Sequence, residues 1–196
     1  MQVIKVNTYS FKELSKEAKK KVLERLSQIN VDYDQWHDGI IEDAKECGKI
    51  LGIDIDKIYF SGFSSQGDGA CFEGNYSYRK NAVNDIKAYA PKDEVLHSIA
   101  ERLNTEQKKQ FYGITANVKH SGHYYHQYCT DISVTDKNDN EPNNEKEICE
   151  ILRDFMAWIY KQLEKEFDYQ TEEVHVIETI EANDYRFLED GRTFKA

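Results

Sequence analysis

The stretch IDKIYFSGFSSQGDGACFEGNYSY, Ile55–Tyr78, decides how the fold is read. Two runs rich in β-branched and aromatic residues flank a segment holding Gly62, Gly67 and Gly69, with Gly74 further on. IDKIYFSGF predicts a strand running into that segment, and GACFEGNYSY predicts the returning strand. Side chains alternate along a strand, so Cys71, Glu73, Asn75 and Ser77 fall on one face and Phe72, Tyr76 and Tyr78 on the other. The glycines suggest two chemistries for the segment between the strands, and both fail on residue type. Gly62 and Gly67 have the spacing of a P-loop, but that motif continues with a lysine, whose charge offsets phosphate. Here Asp68 and Gly69 follow, and a carboxylate would repel the phosphate. A nucleophile elbow needs glycine two residues after its serine, and Gln66 stands there after Ser64. What remains is a glycine-bearing bend in which Asp68–Gly69 suits a turn with positive φ. Ser64, Ser65, Gln66 and Asp68 are its polar groups, and the bend is either structural or a binding loop.

A second pair of strands is written in GITANVKHSGHYYHQYCTDISVTD, residues 113–136. Two alternating runs flank Ser121–Gly122, which predicts a hairpin with a tight turn there. His120, His123, His126 and Cys129 recur at steps of three, and their ligand types suit zinc. On a strand, however, His123 would face away from His120 and His126, and the turn would separate those two. The expectation is therefore no metal and no cofactor. Tyr124, His126 and Tyr128 instead line one face of a predicted strand, able to pack on a helix, stack a base or grip a protein. The loop DKNDNEPNNEKE, Asp136–Glu147, approaches a calcium-binding EF-hand pattern. It has Glu141 where the sharp turn needs glycine, and a proline follows.

Around these hairpins the apolar residues recur at helical spacing. Residues 10–29 place Leu14, Ala18, Val22, Leu26 and Ile29 on one stripe, with Ser10 or Ser15 as the cap. Residues 31–53 repeat the pattern up to a stop at Gly52. Residues 81–110 are helical with a break at Pro91, residues 145–167 form a long amphipathic helix, and another helix lies near 170–183. His37, His97 and His175 fall on these helices without an HExxH pair. VIKVNTY, residues 3–9, predicts a short first strand, and YRFLEDGRTFK a small terminal hairpin around Asp190–Gly191. The sum is a single α+β domain over residues 1–196, an antiparallel sheet of about five strands with amphipathic helices packed on it.

Composition narrows the function classes. At 196 residues, 39% hydrophobic and 32% charged, the chain suits one folded core. No apolar run approaches the roughly 20 residues that span a membrane. The N-terminus has no basic segment leading into an apolar one, so the expected location is the cytoplasm. The four cysteines, none in a CxxC pair, are expected as free thiols. Residues 1–130 carry 18 acidic and 18 basic side chains, whereas residues 131–196 carry 18 and 8, so the net charge of −10 lies wholly in the last third. That balance argues against direct nucleic-acid binding by phosphate neutralisation and leaves an acidic surface that could meet a basic partner.

YSFKELSKEAKKKV, IYFSGFSSQGDGACFEG, KHSGHYYHQYC and LRDFMAWIYKQLEKEFDY together resemble a family of small phage and prophage proteins, sometimes labelled antitoxin-like. The resemblance spans nearly the whole chain, and its most specific element is the SGF-x-SQGDGA signature at residues 61–70. Relatives often carry tryptophan where this chain has Ser64. The resemblance implies an accessory phage protein acting inside a bacterium, and it supplies no catalytic residue. With no complete catalytic motif, the leading expectation is a non-catalytic protein that binds and inhibits a host defence component, an anti-defence role of the anti-CRISPR kind. The alternative is a nucleotide or small-molecule binder or hydrolase. It would combine the Gln66–Asp68 bend with the Tyr124–His126–Tyr128 strand. Candidate binding residues are Ser64, Ser65, Gln66, Asp68, His120, His123, Tyr124, His126 and Tyr128.

Overall fold

The computed structural model describes residues 5–194. In chain order its elements are α1 (Lys16–Leu26), α2 (Asp38–Leu51), β1 (Ile53–Phe60), β2 (Ala70–Ser77), α3 (Ala82–Tyr89), α4 (Glu94–Lys109), β3 (Thr115–His120), β4 (Thr130–Thr135), α5 (Glu145–Thr171) and α6 (Glu173–Ala182). Short 3-10 turns at Phe11–Glu13 and Asp34–His37 precede α1 and α2. The fold is α+β, with six helices and one antiparallel sheet in the order β1-β2-β3-β4 among the described residues. The sheet has four strands. Of the strand expected over residues 3–9, residues 3 and 4 lie outside the described residues, and Lys5–Thr8 form no strand. Tyr9 makes only an isolated bridge with Phe187.

The described residues fall into two compact units, one built from Gly39–Glu164 and one from the chain on either side of it. In the first, the core face of the sheet carries Ile53, Ile55, Phe72, Tyr76, Ala116, Val118 and Val134. Ala44, Cys47 and Leu51 of α2, Leu96, Ile99 and Leu103 of α4, and Ile148, Leu152, Phe155 and Ile159 of α5 cover it. Phe72 and Phe155 meet edge to face at 6.1 Å between ring centroids. Each such buried side chain contributes about 1.5–3 kcal/mol.

One irregularity in β1 governs what its other face presents. Ile55 pairs with Gly74 and Lys57 with Glu73, so Asp56 is an extra residue, a bulge. Before it, Ile53 and Ile55 point to the core. After it, Ile58 and Phe60 do, opposite Phe72 and Ala70. Lys57 and Tyr59 are thereby turned to the face that carries Glu73 and Cys71. Gly74 permits the close pairing at the bulge, because a Cβ there would lie 2.0 Å from the carbonyl oxygen of Asp54. The remainder of that face is polar: Asn117 donates to Asn75 Oδ1 at 2.9 Å, and the hydroxyls of Thr115 and Thr135 lie 3.1 Å apart.

The second unit packs Phe11, Leu14, Ala18 and Val22 against Val176, Ile180 and Phe187. Both serines suggested as caps are used. Ser10 starts the first 3-10 turn, with its N–H donating to Glu13 Oε2 at 2.7 Å, and Ser15 accepts from the N–H of Ala18 at 3.2 Å to start α1. The expected helix over 10–29 is thus broken at Leu14–Ser15. The terminal chain reverses at Asp190–Gly191, with the N–H of Leu188 donating to the Arg192 carbonyl at 2.8 Å. Among the described residues, no helix is long and apolar enough to cross a membrane.

Candidate functional site

The second predicted hairpin needs correction. β3 ends at His120 and β4 begins at Thr130, which pair directly, so residues 121–129 form a long loop in place of a tight turn at Ser121–Gly122. Tyr124, His126 and Tyr128 therefore lie on no strand. The loop is closed at its base by the N–H of Ser121 donating to the Cys129 carbonyl at 2.8 Å, and the N–H of Cys129 donates to the His126 carbonyl at 2.8 Å. Ring packing explains why the alternating run leaves the ladder. Tyr125 stacks on Tyr59 (5.4 Å, 23°), and His126 stacks on Tyr128 (5.4 Å, 22°).

The bend between β1 and β2, residues 61–69, is built around one carboxylate. Asp68 Oδ2 accepts from the N–H groups of Ser64 (2.9 Å) and Ser65 (2.6 Å). These bonds hold its carboxyl below the usual aspartate range. The N–H of Ser61 donates to the Gly69 carbonyl at 3.1 Å and closes the bend. Tyr160 of α5 ties the bend to the core: its ring stacks on Phe63 (5.4 Å), and its hydroxyl donates to the Gly62 carbonyl (3.0 Å). Ser64, Ser65 and Gln66 stand exposed at the tip.

The two loops meet. A Cβ placed on Gly69 would lie 2.9 Å from the Cα of His126 and 3.1 Å from its ring. A Cβ on Gly67 would touch the Tyr124 ring at 3.7 Å. Beneath them lies a small network that sequence reading missed. The Tyr59 hydroxyl donates to Glu73 Oε2 at 2.9 Å, and the His120 N–H donates to Glu73 Oε1 at 3.2 Å. The Tyr59 ring stacks on His120 at 4.9 Å, and the Lys57 ammonium sits 4.3 Å from its centroid. The Tyr59 hydrogen bond holds Glu73 low, and the same bond raises the Tyr59 phenol. The apolar spacing Ile53, Ile55, Ile58, Phe60 carries the available signal, since the step of three marks the bulge that turns Tyr59 toward Glu73.

The exposed part of the site is aromatic. Tyr124 is 62% and Tyr128 61% accessible, and His123 is exposed with its ring edge-on to Tyr124 at 5.3 Å. Arg153 of α5 lies 5.3 Å from the Tyr128 ring centroid, so the rings of His126 and Tyr128 and this guanidinium make a continuous contact. The N–H of Tyr128 donates to His126 Nδ1 at 3.3 Å, and His120 Nε2 lies 3.0 Å from the Tyr124 carbonyl, to which it donates. These bonds fix both rings. Among the described residues, no three His, Cys, Asp or Glu side chains gather as metal ligands. In the polar loop after β4, Asp136 Oδ1 accepts from the N–H groups of Asn138 (2.7 Å) and Asn140 (3.0 Å), so that carboxylate folds its own turn. Burial pushes the Cys71 thiol, on the face with Glu73, up to about 12, which leaves it unreactive at neutral pH.

Every candidate residue thus lies on one of two adjoining loops or at the end of β3. Asp68, His120 and His126 act inward, while Ser64, Ser65, Gln66, His123, Tyr124 and Tyr128 face outward. No curated protein and no solved structure matches the chain. Residues 36–173 match a family described as a domain of unknown function (DUF8835), a span that takes in both loops, the whole sheet and α2–α5. On that match the chain belongs to the DUF8835 family.

Proposed function

We propose that this protein acts without catalysis, by binding another protein through the paired loops 61–69 and 121–129. In the phage setting implied by the SGF-x-SQGDGA resemblance, the partner is a component of host defence that the protein inhibits. One observation carries the reading: Tyr124 and Tyr128 stand mostly exposed on a loop held against the neighbouring bend by the Gly69–His126 contact. Two large amphipathic rings on a pre-ordered loop supply contact area at little entropic cost, the character of interface anchors. The acidic excess of residues 131–196 adds long-range attraction for a basic partner.

The alternative use of the bend as a small-molecule or hydrolytic site has less support. Asp68 already accepts two backbone N–H groups through one oxygen, and the Tyr–His run does not form the flat strand face that reading needs. The test is affinity capture from bacterial lysate with the wild-type chain and with the Tyr124→Ala/Tyr128→Ala double variant. A specific partner retained by the first and lost by the second is expected. Equal retention by both would remove the loop pair from the interface.

A further inference from the structure

An open cleft of about 520 Å³ lies where the end of β2 meets α3 and α4, and it shares no residue with the loop pair. Its size is that of a small-molecule site. Three carboxamides line it, Asn81, Asn84 and Asn104, with Thr105 and Glu101 beside them. Glu101 is paired with Lys87 at 2.5 Å, which leaves the lining without an uncompensated charge. One wall is the ring of Tyr78, backed by Tyr112 at 4.5 Å.

Two helix ends with left-handed backbone border this cleft. Asn81 precedes α3 in the left-handed conformation (φ 66°), and its side chain makes no capping bond to the helix. Its carboxamide is therefore open to the cleft. Phe111 and Tyr112 are both left-handed (φ 51° and 59°), a region that bulky aromatic residues rarely occupy. The N–H of Tyr112 donating to the Gln107 carbonyl at 2.7 Å holds that geometry, and Phe111 is left 81% exposed. Backbone held in such a conformation recurs at ligand sites.

We propose that this cleft binds a neutral saccharide. A carboxamide both donates and accepts, as a sugar hydroxyl does, so three of them match a ring bearing several hydroxyls. Tyr78 adds an aromatic ring to the lining, a surface that suits the flat C–H face of a pyranose. A phosphorylated ligand fits poorly, because no lysine or arginine stands among the lining residues and Lys87 is already paired with Glu101. The proposal is independent of the protein-binding role of the loops.

Heteronuclear NMR titration of the full chain tests it. The probes are methyl glucoside, methyl galactoside, methyl mannoside and N-acetylglucosamine, with adenosine as a separate arm. At least one saccharide should move the carboxamide resonances of Asn81, Asn84 and Asn104 saturably. Asn81→Gly, which keeps the left-handed backbone accessible, and Asn104→Ala should each weaken that binding about fivefold to tenfold without lowering the melting temperature. The proposal is overturned if no saccharide moves these resonances, if both variants bind like wild type, or if adenosine alone saturates the cleft.

Discussion

Gly69 stands against the backbone of His126, so close that a Cβ on it would lie 2.9 Å from the histidine Cα. The obstacle is main chain, which cannot rotate away as a side-chain tip can. Gly69→Ala should therefore force the two loops apart. It should lower stability by about 1–3 kcal/mol in urea unfolding, the usual cost of overpacking. Partner capture should fall with it, because Tyr124 and Tyr128 lose their support.

Asp68 organises the bend through the N–H groups of Ser64 and Ser65. Asp68→Ala should speed amide exchange at both serines while exchange in the central strands stays unchanged. The native carboxyl is held below its ordinary value, so its contribution is complete above that value and is lost as pH falls through the lowered one. Protection of Ser64 and Ser65 should drop in that acid window in the wild-type chain. A flat profile there would contradict the assigned role.

The Tyr59–Glu73 bond makes a prediction at the opposite end of the pH scale. The raised phenol favours the protonated form in the native state. Its contribution is present below the ordinary tyrosine value and disappears as pH rises through the elevated one. Burial and hydrogen bonding also raise Tyr76, Tyr89 and Tyr160, so ultraviolet titration of the native chain should show a late-ionising group of tyrosines, from which Tyr59→Phe removes one, the Tyr59 phenol. Glu73→Gln should return that tyrosine toward its ordinary value.

Gln107 is fully buried and satisfies three groups at once. Its Oε1 accepts from the N–H of Ile114 (3.1 Å), and its Nε2 donates to the Ile114 carbonyl (2.8 Å) and to the Tyr76 hydroxyl (3.1 Å). Gln107→Leu leaves buried backbone groups unpaired and should destabilise the chain by about 2–4 kcal/mol in chemical denaturation. A change under about half that would mean the segment after α4 re-pairs by another route.

Much of the fold was legible because it depends on local pattern. The stripe Ile148, Leu152, Phe155, Ile159 and Leu163 gave α5, Pro91 separated α3 from α4, and Gly52 marked the end of α2. The glycine-bearing bend and its flanking strands follow from the same local chemistry, but the positive φ expected at Asp68–Gly69 falls at Gly67 (φ 96°), because Asp68 folds back on the N–H groups of Ser64 and Ser65. The β3–β4 connection was misread because HYYHQY alternates like a strand, while its rings pack on Tyr59 and on one another instead of extending the ladder. Whether Tyr59 faces Glu73 or the core depends on one extra residue, Asp56, and register is a tertiary property that period-two counting does not reach. The meeting of the two loops joins residues about sixty positions apart, and no local pattern encodes it.

The central claim is that Tyr124 and Tyr128, on the loop packed against Gly69, form the contact with a protein partner. The most direct measurement is quantitative capture from bacterial lysate, comparing wild type with Tyr124→Ala/Tyr128→Ala after circular dichroism has shown both folded. A specific partner bound by the wild type should lose at least tenfold in affinity, about 1.4 kcal/mol, in the double variant. Undiminished binding by the variant, or no protein bound by either, would contradict the account.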